Sequence, residues 1–298
     1  MTEHILTTAN NLAYNPINQS PNLSAMSNAY LILCHHAPLH IRTLALRHPN
    51  AHYYLHYDAR APLIKLDSLK NLPNVHILRH RIAVNWGGFS MIEATLALFQ
   101  AALSNKNNQY FHLISGDCAP LLSPEQLAEQ CAMQPENTIW LHSENTPHLR
   151  YRTRFNAPHA DTTWQRHFIG KILTRSLKIA DKILPSKEIC LSGSQWFSAN
   201  RAALQLLFNE SLGDATAYFE KKLVPDEHFF QYIVAQNIDK FHHINQNKRL
   251  IRFADAAANH PDFLTLDDLW AAQREGAWFA RKVSAEHIAR FLQYEPDV

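Results

Sequence analysis

The chain has 298 residues, 46% of them apolar and 18% charged, with a formal net charge of +2. Such a chain can bury one large α/β core or two small ones, is not disordered, and presents no broad nucleic-acid surface. With only seven glycines it holds no G-x-G-x-x-G or G-x-x-x-x-G-K-[ST] loop, and no run approaches the ~20 apolar residues of a membrane span.

Residues 1–28 are rich in Asn, Ser and Thr and lack the basic start and apolar stretch of a signal peptide. They read as a polar lead-in to one domain over 29–298, in a cytoplasmic protein. Short runs rich in aromatic and branched residues follow at Tyr30–Cys34, Tyr53–Tyr57, Val75–Leu78, Tyr110–Ile114 and Thr138–His142. Their length and composition predict strands. Between them, Ser90 is a candidate N-cap for a helix with apolar residues at Ile92, Leu96, Phe99 and Leu103. Ser123-Pro124-Glu125-Gln126 has the form of a capping box with Pro at the first helical position. Strands alternating with helices predict a mostly parallel, Rossmann-type sheet with helices on both faces.

Further along, Lys171–Pro185 reads as an amphipathic helix with Lys171, Arg175, Lys178 and Lys182 on its basic side. Either this basic side meets a membrane surface, or the helix packs on the sheet and the basic side is solvated. Pro225-Asp226-Glu227 opens another helix, Leu250–Phe253 is strand-like, and Thr265 caps a final helix that ends near Trp278. Cys34, Cys118, Cys131 and Cys190 form no C-x-x-C, so buried free thiols are expected.

Ligands of open α/β sheets sit beyond the carboxyl ends of the strands. Three predicted strands end in polar clusters: Cys34-His35-His36, Tyr57-Asp58 and Ser115-Gly116-Asp117. Singly, each is ordinary turn chemistry; together they predict a cleft. Gln195-Trp196 offers a sugar platform or a buried indole. Glu227 is a candidate general base, although Pro-Asp-Glu is also what a helix start prefers. The adjacent cations Arg281 and Lys282 suit a phosphate or diphosphate, or complement a helix end. The 19 histidines show no H-E-x-x-H, and no Asp-x-Asp follows a strand, so no bound metal is expected.

Taken in order, these segments resemble the Core-2/I-branching glycosyltransferase family, which includes β-1,6-N-acetylglucosaminyltransferases and peptide O-xylosyltransferases. The resemblance covers about Ala29 to Val283 and rests on Tyr30–His36, Tyr54–Asp58, Trp86-Gly87, Leu113–Asp117, Ser192–Phe197, Pro225–Phe230 and Trp278–Lys282. It implies a GT-A-like fold and inverting, metal-independent transfer from a UDP-sugar to a glycan acceptor, with N-acetylglucosamine first and xylose second as the sugar. A non-catalytic carbohydrate- or nucleotide-binding module on the same fold is the competing reading. Glu227 matches the family's base and Lys282 its diphosphate lysine. His35 and Asp58 match donor contacts, with Ser115, Asp117 and Arg281 beside them. Arg152 and Arg154 fall near a stretch that faces the acceptor, with Gln195, Trp196 and Asp226 assigned to the acceptor or sugar pocket.

One position departs from the family. Where the animal enzymes carry a second diphosphate-binding Arg, this chain has Asn259 followed by His260, so Arg252, Arg281 or His260 is expected to substitute. The animal enzymes' N-terminal anchor and lumenal disulfides have no counterpart here. That implies a bacterial form that acts on a surface polysaccharide or lipooligosaccharide precursor, with peripheral contact at the inner face of the membrane and no cofactor.

Overall fold

The computed structural model describes residues 27–254 and 260–294. Asn259 and nearly all of the polar lead-in lie outside the described residues. The strands are β1 (Ser27–Cys34), β2 (His52–Tyr57), β3 (Val75–Ile77), β4 (Asn108–Ser115), β5 (Ala119–Pro120), β6 (Thr138–Trp140), β7 (Glu144–Asn145), β8 (Leu191–Ser192), β9 (Ser198–Asn200), β10 (His242–Ile244), β11 (Arg249–Ile251) and β12 (Phe279–Arg281). The helices are α1 (His40–Arg47), α2 (Ser90–Leu103), α3 (Pro124–Ala132), α4 (Tyr151–Arg154), α5 (Phe168–Ile183), α6 (Arg201–Ser211), α7 (Asp214–Phe219), α8 (Phe229–Gln236), α9 (Leu266–Arg274) and α10 (Ala285–Gln293).

Seven strands form one sheet in the order β10-β6-β9-β4-β1-β2-β3. Only β9 runs antiparallel to its neighbours, β4 and β6; the other pairings in this sheet are parallel. Every residue of β1 is buried. Its alternate side chains feed two cores: Tyr30, Ile32 and Cys34 pack with α1, α3, α9 and α10, while Ala29, Leu31 and Leu33 pack with α2, α6 and α8. This two-sided burial explains why β1 reads as an unbroken apolar run rather than an alternating one. The expected α/β class, with a mostly parallel sheet covered on both faces, is the observed one. A smaller sheet, β11-β12-β5, joins the C-terminal part to the strand-end edge. All four cysteines are free and buried.

Local signals explain several boundaries. Ser123 and Gln126 complete a capping box at α3, and Thr265 with Asp268 completes one at α9. Ser90, however, is the first residue of α2, whose N-cap is Phe89 with no side-chain cap. The cap comes from far along the chain. Asp161 accepts the Ser90 backbone N–H at 2.9 Å and the Ser90 hydroxyl at 2.7 Å. Gly88 makes room for it, since a Cβ there would lie 2.0 Å from the Asp161 carboxylate. The final predicted helix also ends earlier, at Arg274. Trp278 leads instead into β12, so Arg281 lies at a strand end and Lys282 follows it. Four helices, α1, α4, α7 and α10, were not among the sequence expectations.

Many histidines serve the interior. His112, fully buried, lies 2.9 Å from both Ser198 Oγ and Asn28 Oδ1, linking β4 to β9 and β1. His56 accepts the Ile82 N–H at 2.9 Å, and His228 Nδ1 lies 2.7 Å from the Leu191 carbonyl. Burial pushes His40, His56 and His228 down to about 4, and burial with the Arg249 charge lowers His112 well below its ordinary value. In the unfolded chain these rings protonate near 6.5. Their neutral burial is therefore fully compatible with folding above that pH, and the stability is lost as pH falls from about 6.5 toward 4. Asp226, whose carboxyl is raised by burial, works in the opposite direction as a single group. Urea midpoints should therefore fall on going from about pH 7 to about pH 5; a flat or rising midpoint would contradict this account.

Candidate functional site

The ends of β1, β2 and β4 open into a cavity of about 600 Å³. Its walls include His35, His36, Asp58, Ser115, Asp117, Gln195, Trp196, Asp226, Arg281 and Lys282. The expected convergence of polar strand ends is thus met: all ten of these residues stand in the sequence analysis, His36 only as part of the polar cluster after β1. Register enforces the convergence. Cys34 lies opposite Tyr57 on one side, and Leu33 opposite Ser115 on the other, so the three chains leave the sheet at one level.

Asp117 organises one end of the cavity. Its Oδ1 lies 2.6 Å from His36 Nε2, and its Oδ2 lies 3.5 Å from Lys282 Nζ and 3.9 Å from Arg281 Nη1. Burial alone would raise this carboxyl. The His36 hydrogen bond and the charges of His36, Lys282 and Arg281 hold it below its ordinary value. Arg281 also donates to Ser115 Oγ and stacks over the Trp196 indole at 5.0 Å. Trp196 is buried and supports this guanidinium while lining the cavity. Lys282 lies 5.0 Å above the Phe263 ring. Two cations are thereby fixed against one carboxylate, leaving a net positive wall that favours an anion. His35 is lowered from its ordinary value by burial and by His36.

Asp58 is fully engaged. Arg60 donates through its backbone N–H at 2.8 Å and through Nε and Nη2 at 3.1 and 3.0 Å, and Val84 N–H donates at 3.0 Å. Burial opposes ionisation of Asp58, but these donors hold it below its usual range. Arg60 was not part of the sequence reading; its place two residues beyond a strand-end Asp was the available signal.

Pro225–Glu227 forms a short 3₁₀ turn before α8, not the first turn of that helix. Asp226 makes no capping bond. It is buried against the cavity, its Oδ1 has no hydrogen-bond partner, and burial followed by the Glu227 charge raises its carboxyl. Gln195 Nε2 is likewise buried without a partner. A donor and an acceptor left unpaired in one cavity are costly unless a ligand satisfies them. Glu227 itself is half-exposed and receives Arg152 Nη1 at 2.6 Å. The turn is braced on both sides. Val224 has left-handed backbone (φ 49°) and donates its N–H to the Gly87 carbonyl, while Gly193 N–H donates to the Glu227 carbonyl at 2.9 Å. Only glycine fits at 193, because a Cβ would lie 2.0 Å from the His142 carbonyl oxygen.

A second cavity, of about 700 Å³, adjoins the first across Trp86 and Arg166, which line both. Arg152 lines it together with Lys171, Arg175 and Lys178. Arg154 joins neither cavity. It pairs with Asp181 at 3.2 Å and donates to the Leu184 carbonyl at 2.8 Å, tying α4 to α5. Of the expected second cations, Arg252 forms a two-pronged pair with Asp268 at 2.8 and 2.9 Å, away from the cavity, whereas Arg281 and His260 line it. Among the described residues, no three His, Cys, Asp or Glu side chains are grouped to hold a metal.

With this geometry in place, a model of the Core-2/I-branching enzyme family matches residues 28–274 of the chain. A xylosyltransferase of Ciona intestinalis is 23% identical over 235 residues, covering 75% of this chain and 26% of that protein. The chain thus spans about a quarter of the length of that relative.

The cation wall predicts binding of inorganic diphosphate, followed by the fluorescence of the nearby indoles. Lys282→Ala should weaken it about ten- to a hundredfold, the loss of one charge-assisted contact. Equal affinity in the variant would remove Lys282 from the anion site.

Proposed function

The chain belongs to the Core-2/I-branching enzyme family, and we propose that it is an inverting glycosyltransferase that moves a sugar from a UDP-sugar to a hydroxyl of a glycan acceptor. The observation that carries this reading is the shared cavity, with Arg281 and Lys282 on one wall and Asp226 of the Pro-Asp-Glu turn on another. The diphosphate lies against the cations, and the sugar reaches Gln195 and Asp226, whose unpaired polar atoms suit hydroxyl or amide groups. Glu227, oriented by Arg152, takes the proton from the acceptor hydroxyl as its oxygen attacks the anomeric carbon. UDP leaves from the opposite face, and its growing charge is stabilised by Lys282 and Arg281 rather than by a metal. Fixed cations need no reorganisation at that moment, which is the source of their catalytic effect.

The donated sugar is N-acetylglucosamine or xylose. The xylosyltransferase relative supports the second choice with an observation of its own. The acceptor is a glycan under assembly, such as a bacterial surface polysaccharide or lipooligosaccharide precursor, met at the inner face of a membrane.

A panel of UDP-sugars, assayed for slow hydrolysis to UDP with and without EDTA, tests donor and metal together. Turnover with one sugar, unchanged by EDTA, is the expected result; dependence on a divalent cation would overturn the metal-independent mechanism. Glu227→Gln should lower turnover by about two to four orders of magnitude and leave UDP affinity unchanged. A wild type that binds UDP but turns over no sugar would favour the non-catalytic binding module.

A further inference from the structure

Helix α5 is amphipathic, yet its apolar stripe points away from the protein. Phe168, Ile172, Ile179 and Ile183 fall within about 60° of arc at the helical repeat. Their exposures are 78%, 49%, 51% and 72%. The buried residues of the same helix are Gly170 and Asp181, on the opposite side. Asp181 is held there by Arg150 at 3.0 Å and Arg154 at 3.2 Å. Gly170 permits close approach, since a Cβ would lie 2.1 Å from the Trp164 carbonyl oxygen. Trp164, at the start of this segment, and Ile169 are exposed as well. Polar anchors thus hold the inner face, and the stripe that would ordinarily seek the core is left outermost.

The flank of the stripe is cationic: Lys171, Arg175, Lys178 and Lys182 follow one another along it. The one acidic residue of the helix is the buried, paired Asp181. We propose that α5 docks the protein on an anionic phospholipid surface, with the apolar stripe sunk to the headgroup–acyl boundary and the flanking cations on lipid phosphates. Apolar stripes bordered by Lys and Arg are what an interfacial helix requires. A second copy of the chain would set like charges against each other along the same flank, which opposes self-association. Among the described residues no helix is long and apolar enough to cross a membrane.

The docked orientation bears on the proposed function and deepens it. Lys171, Arg175 and Lys178 line the second cavity with Arg152, the partner of Glu227. No carboxylate lines that cavity. Docking through α5 therefore turns the acceptor side of Glu227 toward the bilayer, where a lipid-linked glycan would arrive. This orientation rests on the transferase reading; the docking itself does not.

Flotation of the full chain with vesicles separates the two. Vesicles of phosphatidylcholine alone should leave the protein unbound, whereas equal parts phosphatidylcholine and phosphatidylglycerol should carry it upward, less so at high salt. Glu227→Gln should float as the wild type does, since docking needs no turnover. Replacing Ile172 and Ile183 together by Ser should reduce the bound fraction about tenfold or more, with an unchanged unfolding midpoint. A wild type that stays unbound on anionic vesicles, or a double variant that floats equally well, overturns the proposal. So does a dimer, seen by sedimentation equilibrium, that the same two substitutions dissolve.

Discussion

A parallel sheet covered by helices on both faces leaves only its strand ends for polar chemistry. That constraint places the first cavity of this protein. The interior of β1, β2 and β4 is committed to two cores, so the first residues able to meet a ligand are those at their carboxyl ends. His35, Asp58 and Asp117 occupy these positions. The smaller sheet then closes the edge from the far end of the sequence, bringing Arg281 and Lys282 to Asp117 across more than half the chain.

The scarcity of glycine fits this arrangement. Loops that cradle phosphate through backbone N–H groups need glycines for close approach. Here side chains supply the positive charge, and each is fixed by a neighbour: Arg281 by Trp196 and Ser115, Lys282 by Phe263 and Asp117. Asp117 limits the repulsion between the cations without cancelling both. The abundant histidine has a different use. His56, His112 and His228 satisfy buried polar groups as neutral rings, a role that keeps them out of acid–base chemistry near neutral pH.

The strands of the first half and the α3 capping box were legible because burial and capping leave local signatures in sequence. So was the cleft, since a polar cluster after each of three strands has one geometric meaning in a parallel sheet. Helix α1 was not, because His40, Arg42, Thr43 and Arg47 interrupt its short apolar pattern. The cap of α2 was illegible for another reason: Asp161 lies 71 residues from Ser90, and no local rule links them. Periodicity identified the two faces of α5 but not which faced outward; that was decided by Asp181 and its two arginines. Arg154 was grouped with Arg152 by proximity in sequence, yet it points to α5 while Arg152 points to Glu227.

The meeting of Gly88 with Asp161 reaches beyond local stability. The carboxylate occupies the space a side chain at 88 would need, and it caps the helix that carries the adjoining wall. Neither position can drift alone. A side chain at 88 evicts the cap, while loss of the carboxylate leaves the Ser90 amide unsatisfied and a hole above a bare backbone. In descendants of this sequence the two sites should change as a pair or not at all, so divergence in the segment before α2 would be paced by a residue some seventy positions away.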